Sequence, residues 1–231
     1  MRIVTWNCRV GGFRNKAAQM ARLQPDILAV QEVEPIDNVP SFAGQRQPTY
    51  RDRVCDPMFP RRAIGMFSYT ETKLRAVDAA DRMYFFRRYE ARRGDLEFQV
   101  VAVWPYATKS VKTSYRQAHD GLERHADWIR QRPTVILGDF NASKTYKGRN
   151  WTDLAALMES VNLVSAYHRK FGESFGSETR PTHFKGGKGF HLDYCFLPEA
   201  WAQCISKVDV GVHSEWEKFS DHVPLTVDLD L

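Results

Sequence analysis

The sequence predicts a mixed fold of strands and helices in one domain over residues 1–231, and three observations carry that reading. Arg2–Asn7, a helical stretch through Met20 and Leu23, and Ile27–Val30 give strand, helix and strand within about 30 residues, an α/β pattern. Three strand-like runs follow, Ala63–Ser68, Met83–Tyr89 and Leu96–Val103, joined by short charged turns such as Arg92-Arg93-Gly94-Asp95; this reads as an antiparallel meander. No linker, low-complexity tract or close internal repeat divides the chain, and 231 residues suffice for a large core.

In chain order, the first strand ends on Asn7, and Gly11-Gly12 makes a loop. Asn15 is the expected cap of the helix through Met20 and Leu23, which breaks at Gln24-Pro25-Asp26 before the second strand ends on Gln31-Glu32. Residues 34–62 are rich in Pro, Gly and Arg without periodicity and read as a long surface loop; Arg51, Arg53, Arg61 and Arg62 interleave there with Tyr50 and Phe59. Trp104-Pro105-Tyr106 closes the meander. Tyr115–Arg130 has Ala118, Leu122, Ala126 and Ile129 on one face and reads as one helix. It feeds Thr134–Leu137, a buried strand stopped by Gly138. A loop with Lys144, Tyr146, Lys147 and Arg149 leads to a helix capped by Thr152, with Leu154, Leu157 and Met158 inward. Residues 165–189 are polar and glycine-rich. Gly186-Gly187-Lys188-Gly189 has the composition of a phosphate loop but precedes a strand, which excludes that reading. Phe190–Phe196 and Val223–Leu229 are the last strands.

Composition bounds the function. Hydrophobic content of 43% with 26% charged residues is ordinary for a globular protein, and no apolar run approaches the ~20 residues needed to span a bilayer. Cys8, Cys55, Cys195 and Cys204 form no Cys-x-x-Cys pair, which argues against structural zinc and for reduced thiols. With no room for a cleavable signal before the first strand, a cytoplasmic, non-membrane protein is expected. The net charge of +5 is uneven: residues 1–116 carry +8 and residues 117–231 carry −3. A basic half favours polyanionic partners.

The chemistry lies in the polar residues at strand ends: Asn7, Glu32, Asp139, Asn141, Asp193, Asp221 and His222. Asp139 and Asn141 are two apart, so on extended backbone they share one side of the strand; an Asx-type turn is the competing reading. Asp193 interrupts an otherwise apolar and aromatic run, and a buried carboxylate needs a strong partner to stay charged. Four carboxylates with two carboxamides and one imidazole offer hard oxygen ligands, which favour Mg²⁺ or Mn²⁺ over zinc. A histidine oriented by a carboxylate beside such an ion can stabilise a crowded phosphoryl group.

Thr5-Trp6-Asn7, Gln31-Glu32-Val33, Gly138-Asp139-Phe140-Asn141, Leu192-Asp193-Tyr194 and Ser220-Asp221-His222 together resemble the endonuclease/exonuclease/phosphatase superfamily, the fold of pancreatic deoxyribonuclease and of exonuclease III-type abasic-site endonucleases. The pieces occur in the family's order and span almost the whole chain. The resemblance implies an α+β, four-layer α/β/β/α sandwich in which two packed mixed β-sheets are flanked by helices, with the site at strand ends. It implies Glu32 as principal metal ligand with Asn7 and Asp221 nearby, and Asp139 as the group that activates or orients water. It further implies Asn141 on the phosphate, and His222, oriented by Asp193, on the transition state.

One departure stands out. Many relatives carry a histidine, or a tyrosine in abasic-site endonucleases, to assist the leaving oxygen, and the strand ending Val103-Trp104-Pro105-Tyr106 has no histidine. Tyr106, Tyr115 and His119 are the candidates to fill that place, and Tyr115-Arg116-Gln117 resembles the helix opening of the abasic-site enzymes. Arg116, Trp104 and Tyr106 are the substrate-binding candidates, with packing as the competing role of Trp104. The implied activity is Mg²⁺-dependent phosphodiester hydrolysis by a monomer, with nucleic acid favoured by the basic, aromatic-bearing first half. A phosphatase of sugar or lipid headgroup phosphates and a nucleic-acid-binding relative without catalysis are the alternatives.

Overall fold

The computed structural model describes residues 1–10, 12–35, 48–55, 63–69, 71–77, 83–106, 114–144 and 151–231, the side chains of residues 114 and 115 excepted. The elements in order are β1 (Arg2–Asn7), α1 (Phe13–Arg22), β2 (Ile27–Gln31), β3 (Tyr50–Cys55), β4 (Ala63–Ser68), β5 (Thr72–Ala76), β6 (Phe86–Arg93) and β7 (Leu96–Val103). Then come α2 (Ser114–Arg124), α3 (Ala126–Arg130), β8 (Thr134–Asp139), α4 (Trp151–Ser160), β9 (Leu163–Ser165), α5 (Ala166–Phe171), β10 (His183–Lys185) and β11 (Lys188–Phe190). β12 (Asp193–Pro198), a 3₁₀ turn at Glu199–Cys204, β13 (Ile205–Val210), α6 (His213–Trp216) and β14 (Leu225–Leu229) complete it.

Two six-stranded sheets result, β13-β14-β1-β2-β4-β3 and β5-β6-β7-β8-β12-β9, with β10-β11 as a separate hairpin. Each sheet is mixed: β1 runs parallel to β2 and β7 parallel to β8, while the remaining pairs are antiparallel. The layering follows from strands that are apolar on both faces. Ile3, Ala29, Val100, Val135 and Leu137 meet in the core between the sheets. Their neighbours Val4, Leu28 and Val30 point the other way, onto Phe13, Ala17 and Met20 of α1. On the second sheet Val101, Val103 and Ile136 pack outward against Leu122, Leu154 and Met158 of α2 and α4. This is the four-layer α/β/β/α sandwich expected from the sequence. No helix among the described residues is long and apolar enough to cross a membrane.

The topology places the polar strand ends together. β1, β2 and β8 finish at one edge, where β12 begins opposite β8, with Asp193 paired to Asp139. At Gly138 (φ 149°) a Cβ would lie 1.9 Å from the Val103 carbonyl oxygen, so only glycine lets β8 close on β7 just before Asp139.

Several boundaries differ from the sequence reading. Residues 34–62 are not all loop: Tyr50–Cys55 form β3, an edge strand on β4 whose Arg and Asp residues face partly to solvent and mask the strand pattern. Thr72–Ala76 add β5. The stretch 115–130 breaks into α2 and α3 at His125 (φ −109°), whose ring stacks on Phe86 at 5.5 Å. Gly12, not Asn15, precedes α1, and the Glu34 carboxylate accepts from the Phe13 and Arg14 N–H groups at 2.8 and 2.9 Å. Thr152 lies inside α4, which starts at Trp151. The run 165–189 contains α5 and β10, and Phe190–Phe196 divides between β11 and β12 because the chain turns at His191-Leu192 to place Asp193 against Asp139. Phe59, Arg61, Arg62, Tyr146, Lys147 and Arg149 lie outside the described residues.

Candidate active site

Asp139, at the end of β8, is fully buried and is the hub. Its Oδ2 accepts from Asn7 Nδ2 at 2.9 Å and from Asn141 Nδ2 at 3.0 Å, and its Oδ1 accepts from the Asn141 N–H at 2.8 Å. Asn141 has φ 48°, so its side chain turns back over Asp139 rather than projecting alongside it. Its amide also donates to the Pro105 carbonyl at 3.0 Å. The carboxamide is thus a clamp between Asp139 and the segment after β7. Gln117 of α2 holds that segment from the other side, accepting from the Tyr106 N–H at 2.9 Å and donating to the Tyr106 carbonyl at 2.8 Å.

Asn7 links Asp139 to Glu32, because Nδ2 also donates to Glu32 Oε1 at 3.3 Å. Glu32 has φ 61°, unusual for a residue with a side chain, and its Oε2 accepts from the Val10 N–H at 2.9 Å. The strained backbone and two donors fix where the carboxylate points. Asp221, with a side chain 35% exposed, has Arg9 Nε at 3.7 Å and His183 Nε2 at 4.0 Å. Glu32 is joined by hydrogen bond to Asn7, whereas the Asp221 carboxylate groups with His183 and His222; all three residues offer hard oxygens with lone pairs to spare, of the kind that suits a divalent cation such as Mg²⁺ or Mn²⁺.

His222 sits on the other flank of Asp139. Its Nδ1–H donates to Asp193 Oδ2 at 2.8 Å, and its Nε2 lies 3.9 Å from Asp139 Oδ2. Backbone contacts secure the ring: Ser220 Oγ donates to the Asn7 carbonyl at 2.7 Å and accepts from the His222 N–H at 3.0 Å, while Trp6 Nε1 donates to the His222 carbonyl at 3.0 Å. Thr182 Oγ1 accepts from the Leu192 and Asp193 N–H groups at 3.0 Å each, fixing the start of β12. The charges interlock. Burial works against a proton on His222, but Asp193 and Asp139 outweigh it and raise the imidazole to about 9. Burial first, and Asp193 second, push Asp139 up to about 7, against the opposing pull of His222 and the two asparagines. A carboxylate poised near neutrality beside an imidazolium is a base next to a fixed positive charge.

The remaining candidates divide. Trp104 is 4% exposed, in the core between the sheets, its ring tilted 36° against that of half-buried Tyr106 at 4.8 Å; it is core rather than a surface for substrate. Arg116 is exposed on α2. His119 sits in a surface cluster with Asp120 and Glu123, at 3.9 Å from each. The backbone of Tyr115 opens α2, and its side chain lies outside the described residues. Sequence reasoning missed the imidazole that the fold does bring to the site. His183 forms a β-bridge with His222, their ring centroids 4.4 Å apart. Burial, then the charge of His222, hold His183 down to about 4. The available signal was the Gly186-Gly187 turn, both residues at positive φ, which folds β10 onto β11 and pairs His183 with Phe190. Thr182, Ser220, Trp6, Arg9 and Gln117 were likewise given no role from sequence.

The site is thus a buried carboxylate hub with a carboxylate-oriented histidine, at the strand ends of a two-sheet sandwich. The family model described as "Endonuclease/Exonuclease/phosphatase family" matches residues 4–222, and the chain belongs to that family. Comparison with curated proteins finds no match. Among solved structures, the 3′ phosphatase NExo from Neisseria, bound to product DNA hairpin, is similar at TM-score 0.71 and 20% identity, with all of both chains covered. An AP endonuclease from Archaeoglobus fulgidus is similar at TM-score 0.71 and 14% identity, again with all of both chains covered. At these identities the likeness is one of fold.

Proposed function

We propose that the protein is a divalent-metal-dependent phosphoester hydrolase acting on nucleic acid, and that it works as a monomeric, one-domain enzyme in the cytoplasm. The observation that carries this reading is the arrangement of Asp139, His222 and Asp193, in which one imidazolium bridges two buried carboxylates at 3.9 and 2.8 Å. A purely structural role would not require two buried carboxylates at one register position.

Asp139 accepts the proton of the attacking water, held in place for that task by Asn7 and Asn141. His222 donates from Nε2 to a phosphate oxygen as negative charge develops there, while Asp193 keeps Nδ1 protonated and the ring aimed. Glu32, Asp221 and Asn7 would hold the cation, Mg²⁺ or Mn²⁺. When bound, that ion supplies Lewis-acid stabilisation of charge on the phosphoryl and leaving oxygens.

Three features support nucleic acid as the substrate: the basic first half, the exposed Lys185 and Lys188 at the tip of the β10–β11 hairpin next to the site, and solved neighbours described as a DNA-bound 3′ phosphatase and an AP endonuclease. Four free cysteines, two of them buried, fit a reducing compartment. The test is turnover of plasmid DNA, abasic-site duplex, 3′-phosphorylated oligonucleotide, RNA and bis-nitrophenyl phosphate, with Mg²⁺ or Mn²⁺ and with chelator. Metal-dependent cleavage of at least one nucleic acid is expected; no metal-dependent turnover on any of the five would overturn the proposal.

A further inference from the structure

His183 stands at the root of the β10–β11 hairpin and is tied to the site by backbone. The Phe184 N–H donates to the Asp221 carbonyl at 2.8 Å, and the Val223 N–H donates to the Thr182 carbonyl at 2.8 Å. The side chain is 11% exposed, sandwiched between His222 at 4.4 Å and Phe190 at 6.1 Å between centroids. Its two nitrogens face different surroundings. Nδ1 is sealed from solvent and has no hydrogen-bond partner among the described residues. Nε2 lies 4.0 Å from Asp221 Oδ2, too far for a direct hydrogen bond.

The tautomer follows from that asymmetry. A buried N–H without an acceptor is rarer and more costly than a buried lone pair without a donor, so the proton belongs on Nε2 and the bare nitrogen is Nδ1. This decides between two uses of the cluster. A ring nitrogen of His183, one of His222 and a carboxylate oxygen of Asp221 lie within 4.8 Å of one another, a grouping that could hold a metal. Ligation through Nε2 would require the proton to move to sealed Nδ1, so His183 is a poor ligand and a good donor.

The two carboxamides at the site are already engaged. The amide of Asn7 is directed to Asp139 and Glu32, and that of Asn141 to Asp139 and the Pro105 carbonyl. The two imidazoles are close enough to reach two oxygens of a single phosphate. We propose that His183 is a second phosphate-binding histidine, whose Nε2–H donates to a non-bridging oxygen of the substrate phosphate that His222 also contacts. The proposal rests on the phosphoester-hydrolase reading and adds to it a residue that touches substrate.

Replacement of His183 by Phe separates this role from packing. Phenylalanine keeps the ring volume and the β-bridge, and it removes the orphaned Nδ1 along with the donor. The expected result is a Tm equal to or above wild type together with a kcat/KM lower by about 10- to 100-fold, the loss expected for one hydrogen bond to a charged group. Inhibition by inorganic phosphate weakens to a similar degree. His183→Gln returns an N–H near the position of Nε2 and recovers most of the loss. In full-length protein with ¹⁵N-labelled histidine, the ring shifts of His183 should show a protonated Nε2 and a bare Nδ1 between pH 6 and 8. A Phe variant with wild-type kcat/KM and phosphate inhibition overturns the proposal. So does the opposite tautomer, or a Phe variant whose activity falls only in proportion to its unfolded fraction. Wild-type protein that hydrolyses no phosphoester would refute the hydrolase reading instead; the tautomer and inorganic phosphate binding measured by calorimetry would still decide the role of His183.

Discussion

Asp193→Asn isolates the charge that holds His222 in its working state. Asp193 is fully buried, and its Oδ2 accepts from His222 Nδ1–H at 2.8 Å. Asparagine keeps the volume and, with its oxygen on that side, the hydrogen bond; it loses the negative charge. The rise of His222 from 6.5 to about 9 corresponds to about 3 kcal/mol in favour of the imidazolium, with Asp193 the larger of the attractive contributions ahead of Asp139. Without it, burial is opposed only by Asp139 and Asp221, and the imidazole holds its proton less tightly. The expected loss in kcat is on the order of 100-fold at pH 8, the scale for removing one electrostatic stabiliser of a developing oxyanion. The assay is kcat per folded molecule from pH 5.5 to 9.5, with active-site titration of each preparation. The alkaline limb should move to lower pH together with the loss of rate. Stability supplies a check on sign. A histidine that binds its proton more tightly in the fold contributes its full stabilisation below pH 6.5 and loses it as pH rises through about 9. The Tm difference between variant and wild type should therefore narrow from pH 6 to 10. Wild-type kcat with an unmoved alkaline limb would refute the reasoning and leave Asp193 a packing residue.

Three further outcomes follow from the same geometry. The wild-type rate should be bell-shaped in pH, rising through about 7 as Asp139 loses its proton and falling through about 9 as His222 loses its own; both limbs belong to the interacting pair, and a rate flat from pH 5 to 10 would contradict it. Because His222 and Asp193 act as one unit, the double variant His222→Ala/Asp193→Asn should be within about threefold of His222→Ala alone in kcat, whereas independent roles would multiply the two losses. Gly138→Ala puts a Cβ 1.9 Å from the Val103 carbonyl oxygen at φ 149°. A loss of about 3 kcal/mol, read as a Tm fall of roughly 6–12 °C in a thermal melt, is expected, and an unchanged Tm would show that β7 and β8 are not so closely apposed.

The layers and most of the site were legible because they obey short-range rules. Val135, Ile136 and Leu137 announce a strand buried on both faces, and Asp139, Glu32 and Asn7 fall where apolar runs stop. Asp193 was visible as a carboxylate inside an aromatic run. What stayed hidden depends on backbone conformation or distant packing. Asp139 and Asn141 were read as sharing one side of an extended strand end, yet φ 48° at Asn141 makes the Asx-type turn that closes its amide on Asp139. β3 was lost because an edge strand carrying Arg51, Asp52 and Arg53 lacks apolar alternation. The break before α3 arises from packing of His125 on Phe86, far away in sequence. His183 escaped notice because its place beside His222 is set by strand pairing across 39 positions of chain, which no local pattern encodes.

In the proposed mechanism His222 stabilises charge on a phosphate at a metal-assisted centre built on Asp139. The most direct measurement is kcat for His222→Ala per folded molecule, on whichever phosphoester the wild-type protein cleaves best, at saturating Mg²⁺. A group acting mainly in the transition state predicts a fall of roughly 100-fold or more with KM changed only a few-fold. Turnover near wild type in the folded variant, with nothing altered but Tm, would contradict the account.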